Sequence, residues 1–121
     1  MKYDDNNIFA KILRGEIPCK KIYEDEFVLS FYDINPQKKI HALVIPKGKY
    51  VNLDDFSINA SSEEMVGLLK GINIVADKLK ISVGTGKGYR ALANVSEDGG
   101  QEVPHLHFHL FGGEKIGKMV E

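Results

Sequence analysis

The stretch Val103-Pro104-His105-Leu106-His107-Phe108-His109-Leu110-Phe111-Gly112-Gly113 concentrates the chemistry of this chain. It carries three of the four histidines, at i, i+2 and i+4, with large apolar residues between them. That alternation is the period of a β-strand, which predicts His105, His107 and His109 on one face and Leu106, Phe108 and Leu110 on the other. A helix would scatter the same histidines around most of its circumference. A strand face made of imidazoles is a poor core, so the row is read as a site.

Two chemistries suit such a row. Strand residues rise about 3.3 Å each, so neighbouring pairs can chelate one ion, while closing all three around it needs an unusual bend. With His41 as a third ligand, a zinc site is one alternative. The other uses the imidazoles directly. With an unperturbed pKa of about 6.5, most of an imidazole is an unprotonated nucleophile at neutral pH. The middle histidine can attack phosphorus while its neighbours handle protons and charge. The loop Gly99-Gly100-Gln101 just upstream can offer backbone N–H groups to phosphate oxygens. This second reading is favoured, and it requires neither a metal nor another cofactor.

Several elements must position that row. Asn6 or Asn7 caps a short helix over Ile8 to Arg14, with Gly15 ending it. Strands are expected over Lys21–Glu24, Phe27–Ile34, Ile40–Pro46, Tyr89–Val95 and the histidine stretch itself. Lys49 to Ala60 reads as loop with a short helical turn. Ser61-Ser62-Glu63-Glu64 fits a capping box, and Met65, Leu68, Leu69, Ile72, Val75, Ala76 and Leu79 follow at helical spacing. That predicts a helix of about five turns whose stripe serves core or subunit contact. Gly84-Thr85-Gly86-Lys87-Gly88 has neither phosphate-loop spacing nor the strand-to-helix order, so it is a connection. Ser96 to Glu102 reads as a turn-rich loop. The order α, β, β, β, α, β, β with tight β–β joins gives an α+β class: an antiparallel sheet of about five strands with helices packed on it.

Composition bounds the rest. The 121 residues suit a single domain, 1–121, with 43% hydrophobic and 27% charged residues. A net charge of −1 argues against nonspecific nucleic-acid binding. Cys19, the single cysteine, excludes an internal disulfide and any cysteine-rich zinc site. No apolar run approaches the roughly 20 residues that span a membrane, and the acidic, polar N-terminus lacks a signal-peptide core. A cytoplasmic location is expected.

His105-Leu106-His107-Phe108-His109-Leu110-Phe111 resembles the signature of the histidine triad family, His-φ-His-φ-His-φ-φ. The likeness to the Hint branch continues in order through Asn7–Ile12, Glu16-Ile17-Pro18, Tyr23–Glu26, Asp33–Gln37, His41–Lys47 and Asp98–Gln101. Hint proteins are homodimeric purine nucleoside phosphoramidases that cleave the P–N bond of adenosine or guanosine 5′-phosphoramidates without an essential metal. The resemblance implies that His107 is the nucleophile and forms a nucleotidyl-histidine that water hydrolyses. It implies that His41 and His105 orient His107, and that His109 contacts the phosphate or departing amine. By the same resemblance Asp33 accepts from both ribose hydroxyls, and Ile8, Phe9, Ile12, Phe31, Ile34 and Leu43 wall the purine slot. Asn94, Gly100 and Gln101 hold the phosphate. On spacing alone, Asp33 is a turn residue before Asn35-Pro36. Two departures stand out: Glu102 occupies a position where many Hint proteins have serine, and the tail from Glu114 has no tryptophan. The rivals are another histidine triad branch acting on dinucleoside polyphosphates or transferring nucleotides, and a nucleotide-binding regulatory module.

Overall fold

A computed structural model describes residues 1–120. The chain opens with α1 (Ile8–Leu13), followed by β1 (Lys21–Glu24), β2 (Val28–Tyr32) and β3 (Ile40–Pro46). Two helices, α2 (Leu53–Asn59) and α3 (Ser62–Lys78), precede β4 (Arg90–Leu92). A one-turn α4 (Ser96–Gly99) and β5 (Phe108–Gly112) complete it. The five strands form one sheet in the order β1-β2-β3-β5-β4, with every neighbouring pair antiparallel. The expected architecture is the observed one.

Register decides what each face carries, because residues directly opposite in an antiparallel pair share a face. Leu43 lies opposite Phe31 on one side and His109 on the other, and His41 lies opposite Phe111. Leu29, Phe31, Leu43 and Ile45 therefore line one face, where Phe9 of α1 packs onto them. The other face carries Val28, Ala42, Val44 and Leu110, against which α3 sets Leu68, Ile72 and Val75. The long helix thus supports the sheet from behind, and the histidine face is left to α1.

The cap of α3 is the one its sequence predicts: Ser61 Oγ accepts from the Glu64 N–H and the Glu64 carboxylate accepts from the Ser61 N–H. Gly67 and Gly71 let this helix approach β2 closely. A Cβ on Gly67 would stand 2.5 Å from the Phe27 ring, and one on Gly71 would stand 2.8 Å from Val28. Leu69, part of the stripe read as core or subunit contact, is exposed.

Three expectations need correcting. The short helical turn expected in the loop up to Ala60 is a seven-residue helix, α2, whose cap is Asn52, its side chain accepting from the Asp55 N–H at 2.9 Å. β4 is three residues long, not the seven of Tyr89–Val95. The loop from Ser96 holds α4, closed by Gly100 at φ +76°, a left-handed conformation that favours glycine. No helix among the described residues is long and apolar enough to cross a membrane.

Candidate active site

The alternation of the histidine stretch is right in its faces and wrong in its pairing. Strand β5 begins at Phe108, so only His109 of the three sits in a ladder; Val103–His105 form a bend. Pro104 has no N–H to give a ladder. The chain therefore leaves β3, and its polar groups find other partners. Leu106 N–H donates to the Tyr50 carbonyl at 2.8 Å. The Pro46 carbonyl, at the end of β3, is taken by the His105 ring, whose Nε2 lies 2.8 Å away. Leu106 still turns into the α3-side core, while His107 lies against Phe9, ring centres 5.0 Å apart.

Partners fix the protonation of each imidazole, since a carbonyl only accepts and a backbone N–H only donates. Gln37 N–H donates to His41 Nδ1 at 3.1 Å, so neutral His41 carries its proton on Nε2. That Nε2–H donates to His109 Nδ1 at 2.9 Å, with Asp33 Oδ2 a further 3.5 Å neighbour. His109 is then left with its proton on Nε2, a donor facing outward along the relay. His107 Nδ1–H donates to the His105 backbone carbonyl at 2.8 Å, which puts its lone pair on Nε2. No buried side-chain nitrogen or oxygen among the described residues lacks a partner, so this unpaired Nε2 reaches solvent. A lone pair open to solvent at the centre of a histidine row is a nucleophile waiting for an electrophile.

The electrostatics keep the row neutral. Burial pushes His105 down to about 4, and burial with the facing His107 and His41 pushes His109 to about 4 as well. Burial also holds His41 below its ordinary 6.5, with Asp33 pulling the other way. His107 is lowered by burial too, opposed by its bond to the His105 carbonyl and by the charges of Asp33 and Glu102. At neutral pH the imidazoles are unprotonated, the state nucleophilic attack requires.

As its hydrogen bonds stand, His41 is not free to hold a metal. Asp33, His41 and His109 bring ligand atoms within 4.8 Å of one another. But Gln37 N–H occupies the Nδ1 lone pair of His41, and the proton on Nε2 leaves that atom nothing to donate to an ion. A concavity of about 960 Å³ lies elsewhere, between Lys80–Arg90 and Gly113–Gly117; its lining is basic and holds no histidine.

A family model of the HIT domain matches residues 14–116. The chain belongs to the HIT family. It is 53% identical over 118 residues to a 13.2 kDa HIT-like protein of Azospirillum brasilense, covering 98% of this chain and 94% of that one. Among solved structures it resembles a HIT family hydrolase from Clostridium thermocellum, with a TM-score of 0.85 at 39% identity over 98% of this chain and 99% of the other. A histidine triad protein from Clostridium difficile gives a TM-score of 0.80 at 40% identity, covering 98% of each chain. The antiparallel five-stranded sheet with its helices is thus the HIT fold.

Within that HIT frame, the residues expected from sequence fall into three groups. His41, His107, His109 and Asp33 converge, with the His107 and His109 ring centres 5.0 Å apart. Asp33 is the turn residue that spacing suggests, its Oδ1 accepting from Asn35 N–H at 2.8 Å, while its Oδ2 faces the histidines. Phe9, Ile12, Phe31 and Leu43 form one apolar floor beside the row. Ile8 and Ile34 are exposed and do not pack into that floor; Ile34 stands at 101% accessibility, at the rim. The third group is the loop before the histidines. Gly100 and Gln101 spend their N–H groups on the Glu97 and Ser96 carbonyls. The Gln101 side chain donates to the Val51 and Val103 carbonyls at 2.7 and 3.0 Å and accepts from Ser96 N–H. It is a brace that ties the histidine loop to the segment before α2. Asn94 is half-buried with its backbone against Gly99, and Glu102 is exposed at the mouth.

Sequence reading missed three contributors. Phe111 stacks near both His41 and His109, at 4.3 and 5.7 Å between ring centres. Its place two residues after His109 was a usable signal. The Gln37 N–H had no signal, because any residue supplies one. Tyr3, whose hydroxyl meets His105 Nδ1 at 2.5 Å, lies 102 residues away in sequence.

Proposed function

We propose that this HIT protein is a purine nucleoside phosphoramidase of the Hint type, cleaving the P–N bond of nucleoside 5′-phosphoramidates through His107. The observation that carries the reading is the His107 ring, its Nδ1–H held by the His105 carbonyl and its Nε2 open. His107 Nε2 attacks phosphorus, the P–N bond to the amine breaks, and the amine takes up a proton and leaves. The covalent product is an N-phosphorylated imidazolium, whose charge the His105 carbonyl stabilises through Nδ1–H. Water then attacks phosphorus, releases the nucleoside monophosphate, and returns the proton. His109 Nε2–H, set by the relay from Gln37 and His41, donates to a phosphate oxygen or the departing nitrogen. The free Asp33 oxygen faces a ribose. The floor of Phe9, Ile12, Phe31 and Leu43 takes the apolar face of a base, and Ile8 and Ile34 close over it from the rim.

The reading extends to a cytoplasmic homodimer that needs no cofactor. The exposed Val66 and Leu69 on α3 support a self-contact there. Purified protein incubated in EDTA with an adenosine 5′-phosphoramidate of lysine is expected to release AMP at the rate seen without chelator. Loss of release in EDTA, restored by added zinc, would move the chemistry onto a metal.

Leaving-group choice falls to Glu102. Its exposed carboxylate lies near enough to His107 to raise its basicity, so it also meets the departing group. A cationic amine such as lysine is favoured over the neutral side chain of tryptamine. Glu102→Ser is expected to narrow the lysyl-over-tryptamine rate ratio about fivefold, the scale of one exposed charge pair. An unchanged ratio removes Glu102 from specificity.

A further inference from the structure

His105 is the least accessible of the histidines, with no exposed surface, yet both its ring nitrogens are partnered. Nε2–H donates to the Pro46 carbonyl at 2.8 Å, and Nδ1 accepts the Tyr3 hydroxyl at 2.5 Å. The Tyr3 ring meets the imidazole edge-on at 5.6 Å, and Phe9 meets it edge-on at 6.4 Å. We infer that Tyr3 is a positioning residue of the histidine site, locking the His105 ring and through it the carbonyl that orients His107.

The N-terminal segment is built to hold Tyr3 in place. Asn7 donates from both its backbone N–H and its Nδ2 to the Asp4 carbonyl, at 3.2 and 2.7 Å, and caps α1 with its Oδ1. Arg14 donates to the Asp5 carbonyl at 2.8 Å, and Lys49 pairs with the Asp5 carboxylate at 2.8 Å. Tyr3, Asp4, Asp5 and Asn7 of this strap lie before residue 14, outside the span that the family model matches. The strap therefore adds a support to the site that the HIT domain pattern does not specify.

The physical link runs through one residue. His105 presents its ring to Tyr3 and Pro46 and its carbonyl to His107 Nδ1–H, 2.8 Å away. Without the Tyr3 hydroxyl, Nδ1 becomes a buried acceptor with no donor, a state the protein relieves by turning the ring. That turn takes Nε2–H from the Pro46 carbonyl and shifts the backbone on which the His107 bond rests. The damage falls on the nucleophile's orientation, while the floor and Asp33 stay intact.

This inference rests on His107 acting as proposed, and its test separates the two. Tyr3→Phe keeps the ring and removes only the hydroxyl. The variant is expected to melt within a few degrees of wild type. Its kcat for AMP release should fall about tenfold at unchanged KM. The imidazole ¹⁵N resonances of His105 and His107 should shift, assigned with His105→Gln and His107→Ala. A kcat within about twofold of wild type, or unchanged His107 resonances, overturns the role. A rise in KM alongside a large fall in melting temperature also overturns it, by showing general loosening. Should wild type release no AMP, the phosphoramidase reading fails on its own, and the resonances still decide whether Tyr3 governs His107.

Discussion

His107→Ala is expected to lower AMP release from an adenosine phosphoramidate by about 10³-fold or more, while AMP still binds within about twofold of wild type. The size follows from what is lost. Among the described imidazoles, His107 alone leaves a nitrogen lone pair without a partner; His105 and His41 have both nitrogens occupied, and His109 spends Nδ1 on His41. No neighbour can take over the attack without first giving up a buried hydrogen bond. Water attacking directly would lack the Nδ1–H···O=C support that the His105 carbonyl supplies. Binding survives because the floor around Phe9, Phe31 and Leu43 and the Asp33 oxygen do not depend on the His107 ring. A covalent assay sharpens the test. Substrate labelled in the nucleoside and quenched in alkali should leave label on wild-type protein and none on the variant. A variant retaining a tenth of the rate, or wild type that never carries label, would end the nucleophile assignment.

How far the sequence revealed this site depends on the distance over which each feature is determined. The alternation of His105, His107 and His109 is local, so the division of faces was legible. The ladder was not, because it depends on where β3 ends. Pro46 closes that strand, and the His105 ring takes the carbonyl that a continued ladder would have set opposite Leu106. The capping box of α3 is four residues long and read correctly. The cap of α2 is as short, Asn52 to Asp55, but Asp54-Asp55 and the brevity of Leu53–Asn59 reduced the helix to a single turn within a loop in the sequence reading. The bracing contact of Gln101 was not legible, because its partner, Val51, lies 50 residues upstream and is reached only through a backbone carbonyl, which leaves no trace in side-chain pattern. Whole-chain resemblance supplied the roles of Asp33 and His41, which spacing could not distinguish from a turn and a core residue.

The second large effect is on stability, and its sign follows from the depressed histidines. An unfolded His105 takes up a proton near 6.5, while the folded one holds out to about 4. Between those values the unfolded state binds more protons, so stability is fully present above pH 6.5 and is lost as pH falls toward 4. At about 1.36 kcal/mol per unit, His105 alone removes about 2 kcal/mol between neutrality and about pH 5. His109, half-buried and partly screened, adds a smaller loss in the same window. The perturbed carboxylates do not confuse the measurement. Glu24, drawn to about 2 by Lys21 and Lys47, and Asp25 and Glu64, lowered by hydrogen bonds, titrate below about 4.5 and weaken the fold only in stronger acid. Urea unfolding at neutral pH and at about pH 5 should therefore show the drop, and His105→Gln, which does not titrate, should recover the share that His105 contributes, leaving that of His41, His107 and His109. A wild-type midpoint that is flat across this interval would mean that His105 is protonated in the folded protein. The imidazole could then no longer accept from Tyr3, and the neutral row on which His107 depends would not exist.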